Sequence, residues 1–376
     1  MSGVIYLDHN ATSPMSARAL EAWLAANAQY PANPSSPHRL GQRAEAALNQ
    51  ARERLAGFLG CHPLEILWTS GATESANHLF FHLARASRAP ARVWISAIEH
   101  PCVLESARRY FPGRLRLIPV TPDGVADLEW MRHKLRRRRP ALVAVMAANN
   151  ETGVLQPWEA IAALCREHRI PFFTDAVQWL GRQPAAGLGQ ADFVSGSAHK
   201  FGGPRGIGFL KSPSQGPLHP LLVGGPQEDG RRAGTENVAG ALAFVDALEE
   251  RERQLAHQAE APLRRAKEEF ERRLAELPGC EIVGRAAPRL WNTTMVLLPP
   301  APCRLRPVVQ LDKFGFAVST GSACASGKAQ PSHVLAALGF GAAAADRALR
   351  FSAGWETPLR DWQKLFQALK TMLRQA

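Results

Sequence analysis

Residues 171–203, "PFFTDAVQWLGRQPAAGLGQADFVSGSAHKFGG", contain two short apolar runs that each lead directly into polar residues. The first run leads into Asp175, and the second leads into "SAHK" at 197–200. Short runs rich in Phe and Val predict strands. An acid and an amine that follow two such strands predict a polar site at one edge of a sheet.

Similar runs recur through the first half of the chain and alternate with helical patterns. The predicted strands are 65–69, 92–97, 115–120, 141–147, 171–174, 192–196 and 206–210. Helical patterns lie between several of them, as at 73–86 and 157–168. This alternation predicts an α/β fold with a mostly parallel sheet flanked by helices.

The C-terminal third has a different pattern. Residues 238–277 form one long amphipathic helical pattern, broken or kinked near Pro262. The elements predicted after it are strands at 281–298 and 316–319 and helices at 331–338 and 358–374. A chain of 376 residues is long enough for two domains. We expect a large domain at 14–255 and a smaller α+β domain at 256–376, with residues 1–13 able to join either.

The net charge of +12 and the pI near 10.0 raise the question of nucleic-acid binding. Six of the Lys and Arg residues lie in "RHKLRRRR" at 132–139, which is most simply a solvated helix end and loop. No zinc-finger spacing, RNP-like strand or basic heptad accompanies this run, so we expect no direct nucleic-acid binding. No apolar run approaches the ~20 residues that span a bilayer, and no secretory signal is evident, so we expect no membrane association.

The cysteines lie far apart, without CxxC or any other metal-ligand spacing. They are Cys61, Cys102, Cys165, Cys280, Cys303 and Cys324. This usage predicts a reduced, cytoplasmic enzyme with neither a disulfide framework nor a metal site.

Lys200 and Asp175 are candidates for chemistry. A lysine near a hydrophobic sheet edge can have a lowered pKa and form a Schiff base with a carbonyl cofactor, although such a lysine is usually a boundary charge. Asp175 ends an apolar strand, where a carboxylate either meets a positive partner, such as a protonated pyridine nitrogen, or caps a helix. Gln178 can offer a side-chain donor nearby.

The stretch "LWTSGATESANHL" at 67–79 runs from a predicted strand through a glycine turn into a predicted helix. The backbone N–H groups of Ala72 and Thr73 are suited to hold a phosphate, with the Ser197 hydroxyl as a further donor. A capping box at the Thr or Ser before the glycine explains the same letters without a ligand.

Two further polar positions follow predicted strands. His100 can stack on an aromatic ring or be an ordinary loop histidine, and Asn149 and Asn150 come directly after 141–147. Open α/β sheets bind ligands beyond the carboxyl ends of their strands. All of these residues are therefore expected at one site.

Cys324 stands in "AVSTGSACASGKAQPSHVL" at 317–335, among Ser, Ala and Gly. Small neighbours predict a loop and not a core segment. The loop alone leaves open whether this thiol is an ordinary one or a nucleophile.

Seven motifs occur in a fixed order, namely "GATES", "EHP", "NNETG", "TDAVQ", "SAHK", "GGPQEDGRRAGTEN" and "VSTGSACASG". Together they resemble the cysteine desulfurases of the NifS/IscS type, pyridoxal 5'-phosphate enzymes of aminotransferase class V. The resemblance runs from "IYLDHNATSP" at 5–14 to "LRFSAGWET" at 349–357. It implies the PLP-dependent transferase fold type I, in which the large domain binds the cofactor and the small C-terminal domain carries the cysteine loop.

The resemblance also implies roles for single residues. Lys200 would form the Schiff base with pyridoxal 5'-phosphate, and Asp175 would keep the pyridine nitrogen protonated. His100, counted with the catalytic residues, would stack on the ring, and Gln178 would bond its phenolic oxygen. The residues implied to hold the phosphate are Ala72, Thr73, Ser197, His199 and, from the partner subunit of a homodimer, Thr235. Those implied at the substrate are Arg350, which would grip the carboxylate, Asn150, which would contact cofactor or substrate, and Asn33.

In the same resemblance Cys324 is the nucleophile that attacks the sulfur of L-cysteine, so that L-alanine and a Cys324 persulfide are formed. The sulfur would pass to an acceptor protein, for iron–sulfur cluster assembly or for thiolation of a cofactor or tRNA. The alternatives are a selenocysteine lyase or another class V enzyme, and a sulfur-delivery scaffold without catalysis. The sequence departs from the family at Pro226, where His is frequent, at Asp229, where Arg is frequent, and at 299–312.

Overall fold

The computed structural model of the protein describes residues 3–87, 91–214, 218–300, 306–321 and 332–375. Its central sheet has seven strands within these ranges, in the order β2-β8-β7-β6-β5-β3-β4. They are β2 (Ile66–Thr69), β3 (Val93–Ser96), β4 (Leu115–Ile118), β5 (Leu142–Ala144), β6 (Phe172–Asp175), β7 (Phe193–Ser197) and β8 (Gly208–Lys211). Neighbouring strands in the series β7-β6-β5-β3-β4 pair in parallel. Strand β8 is antiparallel to both of its neighbours, β7 and β2. The prediction of an α/β fold with a mostly parallel sheet is confirmed.

Helices cover both faces of the central sheet. They are α1 (Ala17–Gln29), α2 (Arg39–Leu59), α3 (Ala72–Ala86), α4 (Pro101–Tyr110), α5 (Leu128–Leu135), α6 (Trp158–Glu167) and α7 (Val238–Ala256). In α2 the buried positions Leu48, Ala51 and Leu55 recur every three or four residues, which places them on one helix face. That face packs into a core shared with α6 and α7, while α3 and α4 pack on the other side of the sheet around Phe80 and Phe111.

The C-terminal elements form a second cluster. They are α8 (Ala261–Ala275), β9 (Glu281–Ile282), β10 (Thr293–Leu297), α9 (Pro307–Lys313), β11 (Phe316–Ala317), α10 (His333–Ala337), α11 (Ala342–Asp346), β12 (Ala348–Ser352) and α12 (Leu359–Gln375). Strands β12, β10 and β9 form an antiparallel sheet. Phe270 of α8 and Trp362 of α12 pack against Phe351 of β12 in its core.

Of three predicted C-terminal elements, one is confirmed and two differ in detail. The break predicted near Pro262 in the helical pattern at 238–277 is confirmed, since α7 ends at Ala256 and α8 begins at Ala261. The strand at 281–298 is interrupted after Ile282, where Gly284 adopts a φ of +67° and a proline follows at 288. The strand at 316–319 keeps only its first two residues.

The N-terminal segment contacts the C-terminal elements. Strand β1 (Ile5–Tyr6) pairs in parallel with β11, and Asp8 forms a bridge with Ser352 of β12. Leu7 lies in the same core as Phe270. The domain boundaries at 14–255 and 256–376 remain predictions.

The basic run is solvated, as predicted. Helix α5 ends at Leu135, and residues 136–139 are all exposed. Among the described helices, none is both long enough and apolar enough to cross a membrane. The described residues likewise contain no group of His, Cys, Asp and Glu side chains that could hold a metal ion.

Candidate active site

A cavity of about 610 Å³ lies beyond the carboxyl ends of β3, β5, β6 and β7. These parallel strands are neighbours in the sheet, so the residues that follow them meet at one edge. The cavity is lined by these predicted site residues: Ala72, Thr73, His100, Asn150, Asp175, Gln178, Ser197, His199, Lys200 and Arg350. The structure therefore brings ten of the sequence-predicted positions together.

Lys200 ends a short 3₁₀ turn, Ala198–Lys200, that follows β7 directly. Its Nζ donates to the carbonyl oxygens of Asn10 and Ala11, at 2.8 Å each. The amine is half-buried and faces the cavity. The two carbonyl acceptors hold the amine in one place at the cavity, within reach of a carbonyl compound bound there.

Asp175 is the last residue of β6 and is 5% exposed. Its Oδ1 accepts from the Val177 backbone N–H at 3.0 Å in a turn, and no helix begins there, so the helix-cap interpretation is wrong. Burial raises its pKa to about 6, although the Val177 N–H and the charge of Lys200 act in the opposite direction. A buried carboxyl of this kind is suited to a cationic N–H partner.

Gln178 follows Asp175 in the same turn and is buried. Its Nε2 donates to the Asn10 carbonyl at 3.0 Å, whereas its Oε1 is buried without a partner among the described residues. A buried oxygen without a donor is costly unless a ligand supplies one. Asn150 contributes its backbone carbonyl, which accepts from Asn10 Nδ2 at 3.1 Å and from Arg350 at 3.0 Å.

The start of α3 faces the same cavity. Its N-cap is Gly71, which has no side chain to bond the first-turn N–H groups. The Glu74 carboxylate bonds the Ser70 N–H at 2.8 Å, but no Ser or Thr hydroxyl caps the helix, so the capping-box interpretation is wrong. The N–H groups of Ala72 and Thr73 therefore stay available to an anion.

His199 borders this helix start. Its Nδ1 lies 3.1 Å from Thr12 Oγ1. Burial, followed by the positive charges of Lys200, Arg205 and Arg182, lowers its pKa to about 4. The ring is thus neutral at neutral pH and offers a hydrogen bond without adding a charge.

His100 is the N-cap of α4, where its Nδ1 accepts from the Cys102 N–H at 3.2 Å. The Cys102 Sγ lies 3.0 Å from the same nitrogen. Burial, followed by the charges of Lys200 and His333, lowers the pKa of His100 to about 4. The imidazole is neutral and fixed in direction, although it borders a lysine.

Arg350 lies in the middle of β12, and its side chain is 1% exposed, so its interpretation as a solvated strand-end residue is wrong. One terminal nitrogen forms an ion pair with Asp8 at 2.6 Å, and the other donates to the carbonyls of Asn150 and Gly321 at 3.0 and 3.2 Å. Its Nε has no partner among the described residues. The guanidinium keeps N–H groups for a further acceptor, such as a carboxylate.

Two predicted residues are not at the cavity of this chain, and a third lies in a part of the chain that the structure does not describe. Asn33 is exposed, and its Oδ1 accepts from the Ser35 N–H at 2.9 Å. Thr235 is exposed in the loop before α7 and is predicted to serve a partner subunit. Cys324 lies outside the described residues, as do Pro331 and Cys303.

The sequence interpretation missed several residues that line or border the cavity. They are Asp8, Asn10, Thr12, Glu99, Glu151, Arg205 and His333. Glu99 is fully buried, its Oε1 accepts from the Met146 N–H at 2.6 Å, and burial raises its pKa well above the ordinary value. Glu151 accepts from the Ser332 hydroxyl at 2.6 Å. Six of these seven residues lie inside sequence motifs named above, which was the signal that could have found them, whereas Arg205 lies in none.

The chain is similar to known proteins over nearly its whole length. The family model described as aminotransferase class-V matches residues 5–365. A cysteine desulfurase of Cereibacter sphaeroides is 37% identical over 380 residues, covering 99% of this chain and 96% of that protein. Cysteine desulfurase IscS of Dictyoglomus turgidum is 33% identical and covers 99% of this chain and 95% of its own length.

Solved structures agree with this fold. The NifS-like protein from Rickettsia africae ESF-5 superposes with a TM-score of 0.88 at 30% identity, over 99% of both chains. SspA, solved in complex with cysteine, superposes with a TM-score of 0.79 at 30% identity, over 93% of this chain and 98% of its own.

Proposed function

The chain belongs to the aminotransferase class-V family, and we propose that it is a pyridoxal 5'-phosphate-dependent cysteine desulfurase. The reaction converts L-cysteine to L-alanine and moves the substrate sulfur to Cys324. The Cys324 thiolate forms an S–S bond as the substrate C–S bond breaks, and a proton replaces sulfur on the substrate carbon. One thiol and one cysteine thus yield one persulfide and one alanine, with no external oxidant or reductant.

The observation that carries this proposal is the contact of Arg350 with Gly321. Arg350 offers N–H groups to a carboxylate. The terminal nitrogen that does not pair with Asp8 donates to the Gly321 carbonyl at 3.2 Å. Gly321 also lines the cavity, and Cys324 follows it by three residues in the sequence. The residue suited to bind the carboxylate of an amino acid therefore contacts the chain at the start of the segment that carries the nucleophile.

The residues at the cavity fit the cofactor. Asp175 is a buried carboxyl that a pyridinium N–H would satisfy, and Gln178 offers amide donors and an unpaired oxygen near it. Lys200 supplies the amine that attaches covalently to the cofactor aldehyde. When bound, the cofactor withdraws electrons from the substrate carbons and so makes the C–S bond breakable.

The phosphate would be held at the start of α3. Ala72 and Thr73 donate through backbone N–H groups, and Ser197 and His199 donate through their side chains. Thr235 of a second copy of the chain completes this set, which makes the protein a homodimer.

His100 and Arg350 orient the substrate side of the site. The neutral ring of His100 would lie against the cofactor face, and because its Nδ1 accepts from the Cys102 N–H it carries its hydrogen on Nε2, from which it can donate. Arg350 fixes the carboxylate, with Asn150 beside it; Asn33 lies outside the cavity of this chain, and its role at the substrate stays a prediction. His100, Asn150 and Arg350 thus orient the substrate through where they lie and through the hydrogen bonds that they form.

The persulfide sulfur passes from Cys324 to an acceptor protein. The described cysteines Cys61, Cys165 and Cys280 form no disulfide bond, which suits a reducing compartment, and we place the enzyme in the cytoplasm. Cys102 borders the cavity, so it is the thiol to compare with Cys324.

The test is the production of alanine from L-cysteine by the purified protein loaded with pyridoxal 5'-phosphate. Cys324→Ser should still bind the cofactor but make no alanine, since a hydroxyl is a far weaker nucleophile toward sulfur. Cys102→Ser and Cys280→Ser are the matched controls and should keep their activity. Mass spectrometry should find the added sulfur on the peptide that contains Cys324. Sulfur on Cys102, or an active Cys324→Ser variant, would refute the assignment.

A further inference from the structure

Arg182 is a buried cation behind the candidate active site, 3% exposed, in the turn region that follows β6. Burial lowers the pKa of Arg182 to about 9, and the positive charges of Arg350 and Arg251 act in the same direction. The described residues place no carboxylate in an ion pair with it. Because burying an unpaired cation is costly, stability alone gives a poor account of Arg182.

Among the described residues, the acceptors of the Arg182 guanidinium are all backbone carbonyl oxygens. One terminal nitrogen donates to Gln178 at 3.3 Å, and the other donates to His9 at 3.3 Å and to Lys200 at 3.0 Å. Its own carbonyl accepts from Trp291 Nε1 at 3.2 Å. Arg182 thus ties together three chain segments that are remote from one another in sequence.

The same three segments meet again on the cavity side. Lys200 Nζ and Gln178 Nε2 both donate to the Asn10 carbonyl, at 2.8 and 3.0 Å, and Asn10 follows His9 in the chain. The hydrogen bonds therefore form a closed circuit: Arg182 holds the backbones of Lys200 and Gln178, and one oxygen of the third segment holds their side chains.

From this circuit we propose that Arg182 is a positioning residue, which fixes the Lys200 amine relative to Gln178 and to the Asn10 carbonyl. The proposal rests on the roles of Lys200 and Gln178 in the proposed function. Arginine suits this role because its planar fork presents several N–H groups at fixed angles, whereas the ammonium of lysine is a compact point charge whose three donors rotate. Loss of the guanidinium at position 182 would remove the Arg182 donor from the His9 and Gln178 carbonyls, whereas the Lys200 carbonyl would keep the Ser13 hydroxyl at 3.0 Å.

The test measures the position of the Lys200 amine without relying on catalysis. The apoprotein is acetylated with a trace of acetic anhydride, and mass spectrometry gives the labelling rates of Lys200 and Lys211. Lys211, which is buried, is an internal reference, since its Nζ likewise donates to two carbonyls, those of Gly189 and Ala191, at 3.0 and 2.7 Å. The ratio of the two rates reports on Lys200 alone, because unfolding would raise both.

Arg182→Gln should raise the Lys200-to-Lys211 ratio about fivefold, the effect of weakening one hydrogen bond of the circuit. Arg182→Lys keeps the charge but not the fork, and should raise the ratio about twofold. The control is Arg347→Gln, which removes an arginine bond to the Leu298 carbonyl outside the cavity and should leave the ratio unchanged.

An unchanged ratio in folded Arg182→Gln would overturn the proposal. If Arg182→Gln does not fold, Arg182→Lys decides, and an unchanged ratio there overturns it equally. Neither result depends on alanine production, so the proposal and the desulfurase function can fail separately.

Discussion

Asp8→Asn is the most informative single substitution at the substrate side of the cavity. It removes the negative charge that faces Arg350, whose side chain is 1% exposed, across 2.6 Å. Loss of one partner from a buried ion pair costs roughly 3–5 kcal/mol, because the other charge stays buried without compensation. Asp8 is 21% exposed, and an asparagine oxygen still accepts a hydrogen bond, so we expect the free energy of unfolding to fall by about 2 kcal/mol.

The matched control is Glu356→Gln. Glu356 pairs with Arg251 at 2.8 Å, and that arginine is also buried, but Glu356 itself is 62% exposed. Water screens an exposed carboxylate, so this change should cost less than about 1 kcal/mol. Urea unfolding of the apoprotein, followed by tryptophan fluorescence, measures both variants under one condition.

A second measurement on the same variants concerns ligand binding. In Asp8→Asn the positive charge of Arg350 is no longer neutralised, so L-alanine, which carries the carboxylate but no thiol, should bind to the cofactor-loaded protein more tightly than to the wild type. Glu356→Gln should leave this affinity unchanged. Equal losses of stability in the two variants, or weaker binding of L-alanine by Asp8→Asn, would refute the account of this ion pair.

Three further predictions follow from the site. Lys200→Ala should fold but form no covalent link to the cofactor, so borohydride reduction and mass spectrometry should find no pyridoxyl adduct at position 200; alanine production at the wild-type rate would contradict its role. The protein should sediment as a homodimer at assay concentration, and Thr235→Ala should weaken cofactor binding without separating the subunits; an active monomer would contradict the shared site. In the folded apoprotein the pKa of Asp175 is raised from 3.8 to about 6. Stability from this carboxyl is therefore present below about pH 4 and lost as the pH rises through about 6, and Asp175→Asn should flatten that fall in urea unfolding series; an identical pH profile would show that Asp175 does not titrate in this range.

The strands of the central sheet were predictable because they are buried and strongly apolar, as β6 and β7 illustrate. The location of the site followed from the same strands, since polar residues directly after them must share the carboxyl edge of the sheet. The motif order then supplied roles for Asp175 and Lys200 that their local sequence left open.

Other features depend on contacts that no local pattern contains. Lys200 is 190 residues from Asn10, whose backbone carbonyl holds the amine, and a carbonyl contact leaves no signature in residue type. Arg182 resembles any polar turn residue in the sequence, because its burial follows from the packing of three remote segments. Gly284 and Pro288 indicate in the sequence that the strand at 281–298 is interrupted. The apolar residues around them nevertheless favoured the prediction of one continuous strand.

The pairing of the N-terminal segment with β11 and β12 has a consequence for the order in which the molecule is made. Asp8 is synthesised 342 residues before its partner Arg350. Strand β1 is likewise synthesised long before its partner β11. All seven strands of the central sheet, by contrast, have been synthesised once the chain reaches Lys211. Contacts between distant parts of a chain form late because long loops must close first. A nascent chain can therefore complete its sheet well before it can complete the side of the cavity that Arg350 lines.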